Sequence, residues 1–228
     1  MICSHPLDRP AWGALTTGQA HLALGDHNAV AFPPDIGPFA AACDESAEAQ
    51  SALSALVSRP GGAALVESIP PPEPGGARVV SRAVLYQMVA GPMAPDGDPF
   101  NIVPLSDGHA AEMWALATLT KPGPFQARTH VLGDFFGVFR GGVLAAMAGE
   151  RMKPKGFTEV SAVCTHPDHR GQGYGAALAA YVCRRIQARG ETAFLHVYPH
   201  NIAAISVYEA LGFRLRREMT LTILARSH

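Results

Sequence analysis

The chain has 228 residues, 48% of them hydrophobic, with a formal net charge of −1. That much apolar content supports a buried core and argues against wholesale disorder. A near-neutral balance leaves no global field to recruit nucleic acid or an anionic membrane, so neither is expected as a partner and any anion site must be local.

Four cysteines (Cys3, Cys43, Cys164 and Cys183) form no CxxC pair. The start carries no charged segment followed by an apolar core, and no apolar run is long enough to span a bilayer. A reduced, cytoplasmic compartment is the simplest expectation.

Prolines and glycines punctuate the first half in "FPPDIGPF", "SRPGG", "IPPPEPGG" and "AGPMAPDGDP". The last of these, Ala90 to Pro99, reads as a linker or long loop, because successive prolines forbid helix and central strand alike. It divides the chain into an N-terminal α/β region, 1–95, and a second domain, 96–228. Helices are expected near Pro10–Leu24 and Asp44–Val57, then strands in "AALVES" and "ARVVSRAVLYQMVA".

Beyond Pro99 the elements come in quick order. "FNIVPL" reads as a strand and "SDGHAAEMWALATLT" as a helix capped by Ser106 or Asp107. "GPFQARTHVL" follows as a short helix. "DFFGVFRGG" and "GVLAAMAGERM" form a hairpin around Gly141-Gly142, and "FTEVSAVCTH" supplies a third strand. A helix over Gly173–Arg189 ends at Gly190. Strand "TAFLHVY", helix "NIAAISVYEALG" and a final strand pair, "FRLRR" and "MTLTILA", complete an α/β arrangement with a largely antiparallel front and one strand–helix–strand crossover.

Between the third strand and its helix lies "RGQGYG", Arg170 to Gly175. It lacks the Lys-Ser/Thr of a Walker A loop, and its spacing and missing acid exclude the dinucleotide fingerprint. Two readings remain at this point: a turn that needs glycine for steric reasons, or successive backbone N–H groups converging at a helix N-terminus as an anion cradle. Downstream, Asn201 stands at a helix start, and Tyr208 follows seven residues on, along the same face.

The pair R170-G-Q-G-Y-G175 and N201-x-x-A-x-x-x-Y208-x-x-x-G-F213 resembles the GNAT superfamily of acyl-CoA-dependent N-acyltransferases, over roughly residues 98–226. The family's coenzyme loop has the form Arg/Gln-x-x-Gly-x-Gly/Ala, which Arg170, Gly173 and Gly175 match. The resemblance implies a GNAT-like mixed, mostly antiparallel sheet flanked by helices, with residues 1–95 as an extra region, either a degenerate half-copy or a cap. It implies acetyl-CoA as co-substrate, no metal, and a small-molecule or peptide amine as acceptor. A homodimer is compatible with it.

Carried over residue by residue, Val163, Cys164 and Thr165 would offer backbone groups to the pantetheine arm and thioester. Gly171, Gln172, Gly173, Tyr174, Gly175 and Ala176 would hold the pyrophosphate through their N–H groups, beside Arg170. Asn201 would contact the coenzyme or simply cap its helix. Tyr208 would hydrogen-bond or protonate the departing thiolate. Glu159, eleven residues before Arg170, is the expected proton acceptor, with Glu150 as the fallback; strand alternation would put Glu159, Ser161 and Val163 on one face. A non-catalytic acyl-CoA-binding module, or transfer of a longer acyl group, are the alternatives.

Other features read as structural. Cys164, His166, His169, His196 and His200 cluster in sequence but match no common zinc spacing. Trp12 and Trp114 are expected in the core, and Arg214–Glu218 on a solvated strand face. Lys121, Arg128 and His130 could greet an acceptor carboxylate.

Overall fold

A computed structural model describes residues 5–59, 61–94, 97 and 99–227. The chain forms two compact units: Met1–Gln87 with Met152–Lys155 and Arg217–His228, and Met88–Arg151 with Gly156–Arg216. The expected linker at Ala90–Pro99 lies partly outside the described residues.

The first unit begins with helix α1, Pro10–Thr16. The sequence pattern extends this helix to Leu24, but it stops at Thr16, and only a 3₁₀ turn, Ala20–Leu22, follows. The Thr16 and Thr17 hydroxyls turn back onto the carbonyls of Trp12 and Gly13, a bonding pattern that competes with helix continuation. Three short antiparallel strands come next, β1 (Leu24–Gly25), β2 (Ala29–Ala31) and β3 (Ala40–Ala42). Alanine has low strand propensity, so "AVA" and "AAA" carry no visible strand signal. Helix α2, Ala47–Val57, is capped by Ser46, whose Oγ accepts from the Ala49 amide at 3.3 Å. Strand β4, Ala63–Glu67, runs antiparallel to the end of the last strand of the chain, Thr220 opposite Glu67 through Leu224 opposite Ala63. Leu53, Leu56, Val57, Leu65 and Leu224 pack with the strand alanines as this unit's core.

Strand β5, Ala77–Ala90, leads into the second unit. There β6 (Val103–Leu105), β7 (Phe135–Arg140), β8 (Val143–Glu150), β9 (Phe157–Thr165) and β10 (Thr192–Val197) lie in the order β10-β9-β8-β7-β6. All these pairings are antiparallel except β9 with β10. Helix α3, Ala110–Thr120, sets Met113, Leu116 and Ala117 against Met147, Ala162 and Cys164. Helix α4, Tyr174–Ala188, packs on β8 and β9 and buries Leu178, Val182, Cys183 and Ile186. Helix α5, Ile202–Ala210, precedes β11, Phe213–Arg226.

The fold is therefore the mixed, mostly antiparallel α/β arrangement expected, with three local departures besides the shortened α1. The final strand pair is one continuous strand, because Arg217 and Glu218 supply no turn chemistry. "GPFQARTHVL" forms only a 3₁₀ turn, Thr129–Leu132. Trp114 is 51% exposed rather than in the core.

Candidate active site

Strand β9 carries the central irregularity. Its register with β8 pairs Ser161 with Gly149 but Cys164 with Met147, so β9 holds one extra residue there. Ala162 sits at φ 54°, a left-handed conformation costing an L-residue roughly 1–2 kcal/mol. A bulge of this kind breaks strict alternation. Val163 consequently leaves the face it would share with Glu159 and Ser161. Its Cγ1 and the Thr165 Oγ1 point at α4, each 3.7 Å from where a Cβ on Gly175 would stand. Cys164 faces α3, and burial pushes its thiol up to about 11.

The same strand parts from β10. Their parallel pairing runs from Thr192–Phe157 to Phe194–Glu159, while β9 continues to Thr165. Beyond Glu159 the register with β10 ends, and Ala162 and Val163 stand outside the paired register with β8.

The glycine loop completes the site. Gly171 and Gly173 have φ of 76° and 83°, values that glycine adopts without strain. Gly175 has an ordinary helical backbone, and a Cβ there would meet only van der Waals neighbours. No side chain caps α4 at Gly173, so the amides of its first turn stay available to an anion at the positive end of the helix dipole. Arg170 is exposed beside them. Gln172 and Tyr174 contribute differently. The buried Tyr174 hydroxyl accepts from Arg140 Nε at 2.7 Å and donates to Gln172 Oε1 at 2.8 Å. Their side chains brace the loop. Phe100 packs edge-on against Tyr174 at 4.7 Å.

On α5, Asn201 is exposed and its Oδ1 accepts from the Ala204 amide at 3.2 Å, a conventional N-cap. Tyr208 is partly buried against Phe213, with ring centroids 5.7 Å apart. Burial, with smaller contributions from Cys183 and Cys164, raises its phenol to about 12, so it stays protonated at neutral pH.

Glu159 has surroundings unlike those of a free base. It is completely buried, accepts from Arg151 Nε and Nη2 at 2.8 and 2.6 Å, and lies 2.7 Å from His196 Nδ1. Burial alone would raise its pKa, but the Arg151 charge and hydrogen bonds, joined by His196, outweigh it and bring the carboxyl down to about 2. Such a carboxylate is a weak proton acceptor. Glu150 is equally buried and bonded to Arg189 at 2.7 Å. His196 is the residue that sequence reasoning misses in this role. It stands two positions beyond Phe194, which pairs with Glu159, so parallel register brings it to the carboxylate.

Among the described residues, no group of three His, Cys, Asp or Glu side chains could hold a metal ion. No helix among them is long and apolar enough to cross a membrane. His130 is tied to Asp107 at 3.1 Å, which argues against its greeting an acceptor carboxylate.

Comparison with known proteins agrees with this geometry. Residues 135–221 match the FR47-like protein family. Over 60 residues the chain is 43% identical to a mycothiol acetyltransferase of Streptomyces avermitilis; that match spans 26% of this chain and only 20% of the relative. A GCN5-related N-acetyltransferase from Kribbella flavida shares the fold, with a TM-score of 0.60 and 22% identity over 94% of this chain and 95% of the other. A crystal structure from Novosphingobium aromaticivorans, assigned to the GNAT family of acetyltransferases, superposes with a TM-score of 0.92. It is 45% identical over 99% of this chain and 100% of its own. With a bulged strand, an uncapped glycine-rich helix start and a full-length relative at that identity, the chain belongs to the GNAT family of N-acetyltransferases.

Proposed function

We propose that the enzyme transfers an acetyl group from acetyl-CoA to a primary amine by direct attack in a ternary complex. The observation that carries this reading is the alignment of the β9 bulge with the uncapped start of α4. Pyrophosphate on the amides of Gly171–Ala176, with Arg170 beside it, would direct the pantetheine arm along Val163, Cys164 and Thr165. Asn201 would flank that arm as well as cap α5.

In the reaction the amine nitrogen forms a bond to the acetyl carbonyl carbon, the thioester C–S bond breaks, and coenzyme A leaves as thiolate. An N–H freed by the bulge near Val163 would stabilise the oxyanion, an interaction worth about 10²–10³ in rate. Holding amine and thioester in line supplies much of the remainder. Tyr208 would donate a hydrogen bond to the departing sulfur. At about 12 its phenol is a weaker acid than a thiol of about 8.5, so it stabilises the thiolate without surrendering the proton outright.

The amine must lose a proton, and Glu159 is too acidic to hold it. We assign that proton, through water, to the imidazole of His196, whose Nδ1 stands 2.7 Å from Glu159. Glu159 then acts as a positioning residue that orients His196 Nδ1, itself fixed by Arg151.

The reading is tested by amide-resolved NMR during titration with acetyl-CoA. The largest shifts should fall on Val163 and on Gly173–Ala176. Shifts confined to other segments, or none, would refute it.

A further inference from the structure

The glycine loop on which the acetyl-CoA reading rests is held in place by little. Arg170, Gly171, Gln172 and Gly173 are all exposed. A Cβ on Gly171 would meet nothing within 4 Å, and one on Gly173 only the Phe100 Cζ at 4.0 Å. No side chain caps α4 at Gly173. Glycine samples many backbone conformations when nothing restrains it, and both loop glycines stand at positive φ. Left to itself, such a loop would lose that freedom each time it took up an anion.

Among the described residues, one hydrogen-bonded side chain ties the loop to the sheet. Gln172 Oε1 accepts from the Tyr174 hydroxyl at 2.8 Å, and that hydroxyl accepts from Arg140 Nε at 2.7 Å. The relay has one sense only. A guanidinium carries donors alone, so the phenol must accept from Arg140 and turn its own proton to Gln172. A charged donor at the head of the chain also strengthens the bond that follows it.

Both ends of the relay are well placed for restraint. Arg140 ends β7, in register opposite Val143 of β8. Tyr174 is only 2% exposed, its ring packed by Phe100 at 4.7 Å and covered by the Arg140 guanidinium at 5.2 Å. At the other end, Gln172 lies between the two positive-φ glycines, so holding its side chain restrains the peptide units on either side. The anchor of the loop is thus a residue outside the loop motif, 34 positions before Tyr174 in the chain.

We propose that Arg140 is a positioning residue for the coenzyme loop: through Tyr174 and Gln172 it holds Gly171–Gly173 in the anion-binding conformation before coenzyme A arrives. The role rests on the acetyl-CoA reading, because a preset loop matters only where pyrophosphate binds it. Preorganisation removes an ordering cost from binding. It acts only on the part of the ligand that lies on the loop, so the pantetheine arm along Val163, Cys164 and Thr165 is outside its reach.

Amide-resolved NMR of the full chain tests this, with coenzyme A and pantetheine, which lacks the pyrophosphate, as separate probes. Arg140→Met removes the donor and keeps an apolar stem, while Tyr174→Phe removes the hydroxyl and keeps the ring. In the coenzyme-free protein, relaxation measurements should find the Gly171–Gly173 amides more mobile in each variant than in wild type. Each variant should bind coenzyme A about tenfold more weakly, as expected for one lost hydrogen bond to a charged group, and pantetheine, read at the Val163 amide, equally well. The double variant should be no weaker than either single one, since both break the same relay. A general structural loss would weaken both probes together, and a direct contact of Arg140 with phosphate would persist in the Tyr174→Phe background; either result overturns the proposal. So does a loop no more mobile in the variants, or an unchanged affinity for coenzyme A. A wild type in which coenzyme A leaves the loop amides unshifted overturns the acetyl-CoA reading itself, and this role with it.

Discussion

Replacing Glu159 by Gln separates a positioning carboxylate from a catalytic one. The substitution keeps the shape but removes the charge that Arg151 and His196 face in a fully buried setting. Arg151 is only 9% exposed, so its guanidinium would be left buried opposite a neutral amide. Breaking a buried pair in this way costs about 3–5 kcal/mol. The depressed carboxyl implies a similar magnitude: lowered from 4.5 to about 2, it contributes on the order of 3 kcal/mol at neutral pH, at roughly 1.4 kcal/mol per tenfold. Because the folded pKa lies below the unfolded one, this stability is fully present above pH 4.5 and is lost as pH falls toward 2. Urea denaturation of both proteins at pH 7 and again near pH 3 measures the effect. The wild-type advantage should be about 3 kcal/mol at pH 7 and should shrink in acid. The assignment fails if Glu159→Gln is as stable as wild type at pH 7, or if the gap is the same at both pH values.

His196→Gln should lower kcat about 10²-fold or more while acetyl-CoA binding stays near wild type, as kinetics and titration calorimetry together would show. An unchanged kcat in His196→Gln would remove the imidazole from the proton path. Tyr208→Phe should lower kcat about 10²-fold or more with little change in thermal stability, because the hydroxyl has no hydrogen-bond partner among the described residues to lose; kinetics and calorimetry together decide it. Gly175→Ala should fold as well as wild type or gain roughly 0.5–1 kcal/mol of helix stability, yet bind coenzyme A more weakly, because the new methyl would project toward Val163 and Thr165, along which the pantetheine arm is proposed to run. Unchanged affinity by titration calorimetry would mean that Gly175 serves the turn alone.

The second unit is largely legible in the sequence because strong local signals mark its elements. The Gly141-Gly142 hairpin, the periodic run of α4 and the Asn201 cap each fix a boundary by themselves. The strands β1–β3 are not legible, since alanine-rich stretches acquire strand structure only through burial against α2. Within the site, the loop glycines announce themselves, but the setting of Glu159 does not. Its ion pair with Arg151 depends on the turn between β8 and β9, and its contact with His196 depends on parallel register across a 15-residue helix. The bulge at Ala162 has no sequence marker either, because alanine gives no warning of a positive φ.

Acetyl transfer to an amine meets its sharpest test in free-thiol release from acetyl-CoA across a panel of primary amines, with wild type and Tyr208→Phe side by side. Amine-dependent release is expected, saturating in both substrates with intersecting initial-velocity lines and strongly reduced in the variant. Tight binding of acetyl-CoA with no release for any amine in the panel would contradict that mechanism and make the C-terminal unit an acyl-CoA sensor.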